Sequence, residues 1–151
     1  MTQVNFAEGY KFMVIDEPFH NSTALVDLLS GEKLLASIAI NVDGQTVDAV
    51  WLTGEIGWRI TPVTTIDASG RIRIQIKRNG SEIYRKEQDA YIPVGSSCTR
   101  STAVFMHCDT YPGSGPVTYE LAASIAYAEN LDWFMVTGPV TFFAGGIKKI
   151  S

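Results

Sequence analysis

Histidine and cysteine are scarce in this chain, which contains two of each among 151 residues. A structural zinc site takes four such ligands, brought together at short loop or helix spacing. The only local group of ligand-type residues in the sequence is His107-Cys108-Asp109. Neighbouring residues of a strand point to opposite faces, so His107 and Cys108 are poorly placed to share a metal ion. The sequence therefore predicts neither a metal site nor a cofactor.

The motifs of common catalytic and nucleotide-binding sites are also absent. There is no phosphate-binding loop, dinucleotide fingerprint or calcium loop, and no Gly-x-Ser-x-Gly elbow around a nucleophilic serine. No two carboxylates stand out as the pair that a glycoside hydrolase needs. A nucleophilic Cys98 would need the fold to bring it to His20 or His107, an alternative that the sequence leaves open. We predict that the protein is not an enzyme.

The chain also lacks a long apolar run and an excess of positive charge. No stretch of 18 apolar residues occurs and the formal net charge is −4, which argues against a membrane-spanning helix and against a nucleic-acid partner. Residues 1–9 have neither the basic nor the apolar region of a secretion signal, so we expect synthesis without a signal peptide. Free thiols are then the default state of Cys98 and Cys108.

Alternation of side chains is the strongest positive signal, and it is clearest in residues 71–77, RIRIQIK. The isoleucines share one face, and the basic and amide side chains share the other, which is typical of a half-buried strand. Asn79-Gly80 follows, and this dipeptide suits the two positive-φ positions of a type I′ turn. The segment therefore predicts an antiparallel hairpin whose Lys and Arg side chains form a solvated face.

A two-residue turn also predicts the register of this hairpin. The predicted pairs are Lys77–Glu82 and Ile76–Ile83. The first pair has opposite charges, as cross-strand neighbours should. Further out, the same register would set Arg73 against Lys86, so we expect a bulge or a strand end before that point.

A second alternating segment, residues 34–42, also ends in a turn dipeptide, Asp43-Gly44. Its even-numbered residues are apolar and share one face. A tight turn at this dipeptide predicts a second hairpin with the segment that follows. Its predicted pairs are Ile40–Val47, Ile38–Ala49 and Ala36–Trp51, which place Leu34 and Trp51 on the buried side.

Further strands are predicted in residues 10–15, 58–60, 102–108, 133–137 and 140–144. Gly54 and Gly57 predict a bulge or bend before residue 58. Residues 117–126 are rich in helix formers, but β-branched residues open the segment and favour a strand.

About nine or ten short strands, with turn signals roughly every 8 to 12 residues, predict an all-β, antiparallel, two-sheet sandwich of the jelly-roll type. No repeat or linker divides the chain. We assign residues 16–151 to a single sandwich domain, and residues 1–15 to an N-terminal arm or a first strand.

Three segments carry a resemblance to a known family. They are residues 38–48 (IAINVDGQTVD), 73–84 (RIQIKRNGSEIY) and 109–121 (DTYPGSGPVTYEL). In that order they resemble jelly-roll domains of the tumour-necrosis-factor/C1q-like kind, which occur in exosporium and other spore-surface proteins of endospore-forming bacteria and in phage fibre heads. The resemblance covers roughly residues 35–145. The chain departs from spore collagen-like proteins because it has no Gly-X-Y stalk.

The resemblance implies a non-enzymatic structural subunit that assembles with copies of itself, as a trimer or a filament, at a spore surface or in another extracellular assembly. We expect contacts between copies at Phe6, Tyr10, Phe12 and Cys98. The alternative is a carbohydrate-binding module or a phage receptor-binding head. Aromatic residues beside turns would then stack on a glycan, and Tyr111 and Trp133 have that position.

Overall fold

The structure, a computed structural model, describes residues 4–15, 25–44, 47–63 and 66–149; the side chains of residues 4–15 and 149 lie outside this description. Within these ranges the chain forms nine strands and no helix, and hence no helix able to cross a membrane. The strands are β1 (Val4–Ile15), β2 (Val26–Asp27), β3 (Lys33–Val42), β4 (Ala49–Pro62), β5 (Ala68–Arg78), β6 (Ser81–Ile92), β7 (Thr99–Asp109), β8 (Gly115–Glu129) and β9 (Leu131–Lys149).

The strands form two antiparallel sheets that pack face to face. The first sheet has the order β1-β9-β4-β7, and β2 also pairs with β9. The second sheet has the order β3-β8-β5-β6. This all-β, two-sheet architecture confirms the predicted fold class. The segment predicted as an arm or a first strand contributes β1, which lies at one edge of the first sheet.

The strand pairing is that of one long hairpin that has rolled up. Strands β5 and β6 pair at its turn, and outward from there β4 pairs with β7, β3 with β8 and β1 with β9. The roll closes because β4 also pairs with β9 and β5 with β8. A rolled double strand divided between two sheets is the jelly-roll arrangement.

Each sheet contributes one apolar face to a shared core. The largest fully buried side chains are Trp58, Tyr119, Phe105, Phe134 and Phe142, with the isoleucines of β4 and β5 around them. Trp58 stacks on Phe134 with ring centroids 5.3 Å apart. Each such side chain stabilises the fold by roughly 1.5–3 kcal/mol relative to its exposed state.

The hairpin between β5 and β6 confirms the predicted turn and part of the predicted register. Asn79 and Gly80 both have positive φ, at 47° and 87°, and Lys77 pairs with Glu82. The prediction for Ile76 is wrong, because a bulge directly after that pair sets Ile76 against Tyr84.

The expectation of a bulge on electrostatic grounds is confirmed. The shifted register places Arg73 opposite Glu87, where the predicted register would have paired it with Lys86, and it places Arg71 opposite Asp89. Arg73 Nε donates to Glu87 Oε1 at 2.9 Å. The bulge therefore converts a repulsive register into a ladder of ion pairs.

The predicted hairpin at Asp43-Gly44 is wrong. Strands β3 and β4 lie in different sheets, and Ile38 of β3 pairs with Tyr119 of β8. Val47 N donates to Asp43 O at 2.7 Å, so the turn is tight, but it carries the chain from one sheet to the other. Alternation predicts a strand and its buried face without identifying the partner strand.

Two apolar side chains also lie on the face opposite to the predicted one. A register shift between Leu34 and Ala36 turns Leu34 outward, where it is 58% exposed, while Leu35 takes the buried position. Trp51 lies between the buried residues Val50 and Leu52, and therefore on the outer face of the first sheet.

The remaining strand predictions are confirmed with one change. Residues 117–126 lie in β8, while the two segments predicted near the C-terminus are one strand, β9. Its register against β4 shifts between Ile56 and Trp58, so Gly57 lies at an irregularity, as predicted. A Cβ atom at Gly57 would overlap the carbonyl of Gly138.

We expect Gly57→Ala to lower the free energy of unfolding by about 1–3 kcal/mol, because backbone atoms of β9 occupy the space that the methyl group needs. Gly44→Ala is the matched control, since its Cβ would meet only Ser114 Cβ at 3.9 Å. Urea denaturation of both variants measures the difference. Equal stability of the two variants would contradict this account of Gly57.

Candidate functional site

A buried carboxylate joins the turn of the long hairpin to the connection between β7 and β8. Asp109 is 5% exposed and accepts hydrogen bonds from Arg78 Nη1 at 2.7 and 2.9 Å and from the Tyr119 hydroxyl at 2.8 Å. Arg78 also donates to the carbonyl of Tyr111 at 2.6 Å. Burial and the bond to Asp109 raise the pKa of Tyr119 far above its usual value, so its hydroxyl stays a donor.

This Arg78–Asp109–Tyr119 network joins two of the three segments that carry the resemblance. Arg78 precedes the Asn79-Gly80 turn, while Asp109 and Tyr119 belong to residues 109–121. Asn79 adds two bonds to Thr118, through its backbone N–H at 2.8 Å and its side-chain oxygen at 2.9 Å. The two segments therefore form one structural unit, and their polar residues connect them by hydrogen bonds.

The two outer faces of the sandwich differ in character. On the second sheet, charged side chains pair with one another: Arg71 with Asp89, Arg73 with Glu87, Lys77 with Glu32 and Arg85 with Glu82. The Arg71 guanidinium holds the pKa of Asp89 below its usual range, and Arg85, followed by Gln75, does the same for Glu82. The charged side chains named here are therefore paired within the molecule.

The outer face of the first sheet carries a group of apolar side chains, here called the apolar face: Trp51, Val104, Met106 and Phe143. Val104 and Met106 are 57% and 59% exposed, and the other two are partly buried. Met106 and Phe143 lie on either side of Thr53 in adjacent strands, so the group is spread over three strands of one face. Exposed apolar groups of this kind are typical of interaction surfaces.

Side chains from β6 donate hydrogen bonds to backbone carbonyls of the edge strand β7. Lys86 Nζ donates to Val104 O, and Gln88 Nε2 donates to Thr102 O at 3.3 Å and to Ser101 Oγ at 2.8 Å. Acceptors that are already occupied are poor partners for an added strand, and lysine is a common means of protecting an edge.

An open pocket lies on the first sheet at the end where β4 finishes and β7 begins. Its volume is about 500 Å³, and it is lined by Leu25, Arg59, Thr61, Ser97, Cys98, Trp133 and Met135. Thr61 pairs with Trp133, and Arg59 with Met135, so these four side chains share one face. We call this cavity the Trp133 pocket.

The structure brings two of the predicted site residues together and separates a third. Cys98 is exposed and Trp133 is 48% exposed, and both line the Trp133 pocket. Tyr111, which is 84% exposed, lies beyond the other end of β7. That 11-residue strand spans roughly 35 Å, so Tyr111 and Trp133 cannot stack on one sugar. The side chains of Phe6, Tyr10 and Phe12 lie outside the described residues.

Arg59 is the pocket residue that sequence reasoning missed. It is a single charge between Trp58 and Ile60 in an otherwise apolar segment. Its Nε atom is buried and has no hydrogen-bond partner. A charge between two buried residues of a strand was the available signal.

The residues of the His107-Cys108-Asp109 group have separate environments. The His107 ring packs against Tyr84 with centroids 5.2 Å apart, and Asp109 belongs to the buried network. Burial, and then the charge of Asp109, raises the pKa of Cys108, which disfavours its thiolate. Among the residues that the structure describes, no three His, Cys, Asp or Glu side chains form a group that could hold a metal. His20 lies outside the described residues.

No protein-family model matches the chain, and no curated protein matches it. Among solved structures, it is similar to a chain from the structure of infectious bursal disease virus, Gt strain, with 12% identity and a TM-score of 0.42. A chain from the Gx strain of that virus matches with 11% identity and a TM-score of 0.37. The matches cover 96% and 100% of this chain but span only 31% and 37% of the viral chains.

We expect Asp109→Ala to lower the free energy of unfolding by about 1–3 kcal/mol, because it leaves the buried Tyr119 hydroxyl without its acceptor and the partly buried Arg78 without its carboxylate. Asp89→Ala removes a carboxylate from an exposed arginine pair and is the matched control, with a much smaller effect expected. Thermal and urea denaturation measure both. Similar losses in the two variants would contradict the central position of Asp109.

Acidification is expected to weaken the charged outer face of the second sheet. Asp89 and Glu82 have pKa values lowered in the folded state, so their contribution to stability is complete above the ordinary carboxyl pKa values and is lost as the pH falls through the lower, folded-state values. Carboxyl NMR titration should show both midpoints below the usual range. Arg71→Gln should return Asp89 to its ordinary midpoint and leave Glu82 unchanged; an unaltered Asp89 midpoint would contradict the assigned cause.

Proposed function

We propose that this protein is a non-enzymatic structural subunit that associates with copies of itself through the apolar face of its first sheet. The assembly that we propose is of the spore-surface or fibre type. The observation that carries the proposal is the difference between the two outer faces. One is covered by internal ion pairs, and the other presents Trp51, Val104, Met106 and Phe143.

A second copy is the occupant that best suits this face. The outer side of an antiparallel sheet in a monomer is usually polar. Burying apolar area contributes about 25 cal/mol per Å², and a two-fold contact buries the same face on both partners. Two charged side chains border the apolar face among the described residues: Glu55 pairs with Val104 in the sheet, and Lys86 Nζ donates to the Val104 carbonyl.

Face-to-face contact also agrees with the protection of β7. Lys86 and Gln88 already occupy two of its carbonyls, which argues against growth by adding strands at that edge. We therefore infer an interface made by side chains. Sheet packing of this kind brings two sheets to about 10 Å from each other.

The resemblance of residues 38–48, 73–84 and 109–121 to spore-surface and fibre-head domains supports the proposed setting. The buried network of Arg78, Asp109 and Tyr119 gives two of these segments a role in the fold. The location at a spore surface, and assembly as a trimer or a filament, belong to the same proposal.

We expect Met106→Glu to weaken association strongly, because the new charge would have to be buried between copies. Leu34→Glu is the matched control: Leu34 is 58% exposed and Met106 59%, but Leu34 lies in the second sheet. Sedimentation velocity over a range of concentrations, with negative-stain microscopy, measures the assembly state. A wild-type protein that stays monomeric throughout, or equal weakening by both variants, would overturn the proposal.

A further inference from the structure

We propose that the Trp133 pocket is a binding site for a sugar that carries a carboxylate, such as a uronic or sialic acid. This inference goes beyond self-association, because the pocket lies at the end of the first sheet where β4 finishes, away from the apolar face. Its volume of about 500 Å³ falls within the range of roughly 300–1,000 Å³ that is typical of small-molecule sites. Its lining combines an aromatic ring, a cation and two hydroxyl groups.

Arg59 supplies the recognition of negative charge. Its Nε atom is buried without a hydrogen-bond partner, so the guanidinium has donor capacity that the described residues do not use. Guanidinium groups bind carboxylates through two parallel hydrogen bonds.

A carboxylate on this face, that of Asp27, already accepts a backbone hydrogen bond. Asp27 lies two strands from Arg59, on the far side of Met135. Its Oδ1 atom accepts the backbone N–H of Leu29 at 2.8 Å. No ion pair to Arg59 occurs among the residues that the structure describes.

Trp133 and the hydroxyl groups favour a sugar over other small anions. The indole of Trp133 is 48% exposed and offers an apolar surface on which the C–H face of a sugar ring can pack. Thr61, its cross-strand partner, and Ser97 place hydroxyl groups on the pocket lining. Hydroxyl groups both donate and accept, which suits the ring hydroxyls of a saccharide. A single carboxylate also suits a chain of net charge −4 better than a polyanion does.

The experiment is an NMR titration of the ¹⁵N-labelled protein with four probes: galacturonic acid, N-acetylneuraminic acid, galactose and the methyl ester of galacturonic acid. We expect the two acids to shift the indole signal of Trp133, which is one of three tryptophans in the chain. Galactose and the ester, which lack the charge, should bind at least about tenfold more weakly. The comparison of acid with ester needs no altered protein, so it stands even where a variant fails to fold.

Variants then test the residues. Arg59→Gln should weaken binding of the acids at least about tenfold and make acid and ester equivalent, while Trp133→Ala should weaken all binding. Tyr111→Ala is the matched control, because it removes an exposed aromatic ring at the opposite end of the molecule. The proposal is overturned if neither acid shifts Trp133, if the ester binds as well as the acid, or if Arg59→Gln binds like the wild type. Self-association is measured separately, so failure here leaves that proposal standing.

Discussion

The buried carboxylate of Asp109 is the interaction on which the rest of the structure depends. It connects Arg78, at the turn of the rolled hairpin, with Tyr119, in the middle of the second sheet. Without this carboxylate the Tyr119 hydroxyl, which is fully buried, would have no acceptor in the network. Because β5, β7 and β8 all supply members, the network links both sheets at one end of the sandwich. Apolar side chains fill the core, and these polar ones determine which strands meet there.

Polar and apolar side chains are also distributed unequally between the outer faces of the two sheets. The bulge after Lys77 aligns the charges of β5 and β6 into pairs, so the outer face of the second sheet needs no partner. Among the described side chains of the first sheet there is no such ladder, and its outer face presents apolar side chains at one end and the Trp133 pocket at the other. Two β7 carbonyls already accept hydrogen bonds from β6 side chains, so this edge is poorly suited to pairing with an added strand. The two outer faces thus differ in chemistry: one carries ion pairs, and the other carries exposed apolar side chains.

Local features were predictable from the sequence because their causes are local. The Asn79-Gly80 turn, the alternation of β5 and the need for a bulge all follow from residues within about ten positions of one another. The pairing of β3 was predicted wrongly because its partner, β8, is supplied by residues far along the chain. The Trp133 pocket was still harder to predict from the sequence, because its lining comes from separate segments around residues 25, 59–61, 97–98 and 133–135. Trp133 and Cys98 were identified singly, but their proximity depends on the complete fold.

The pairing of β1 with β9 has a consequence for how this chain matures. Val4 lies opposite Lys149, so the first of the nine described strands to be synthesised pairs with the last of them. At typical rates of synthesis the first strand waits on the order of ten seconds for its partner. Contacts so distant along the chain also slow the search for the native arrangement. A nascent chain of this topology therefore spends its synthesis with unpaired strands, and chaperones have their strongest opportunity to act on it during that interval.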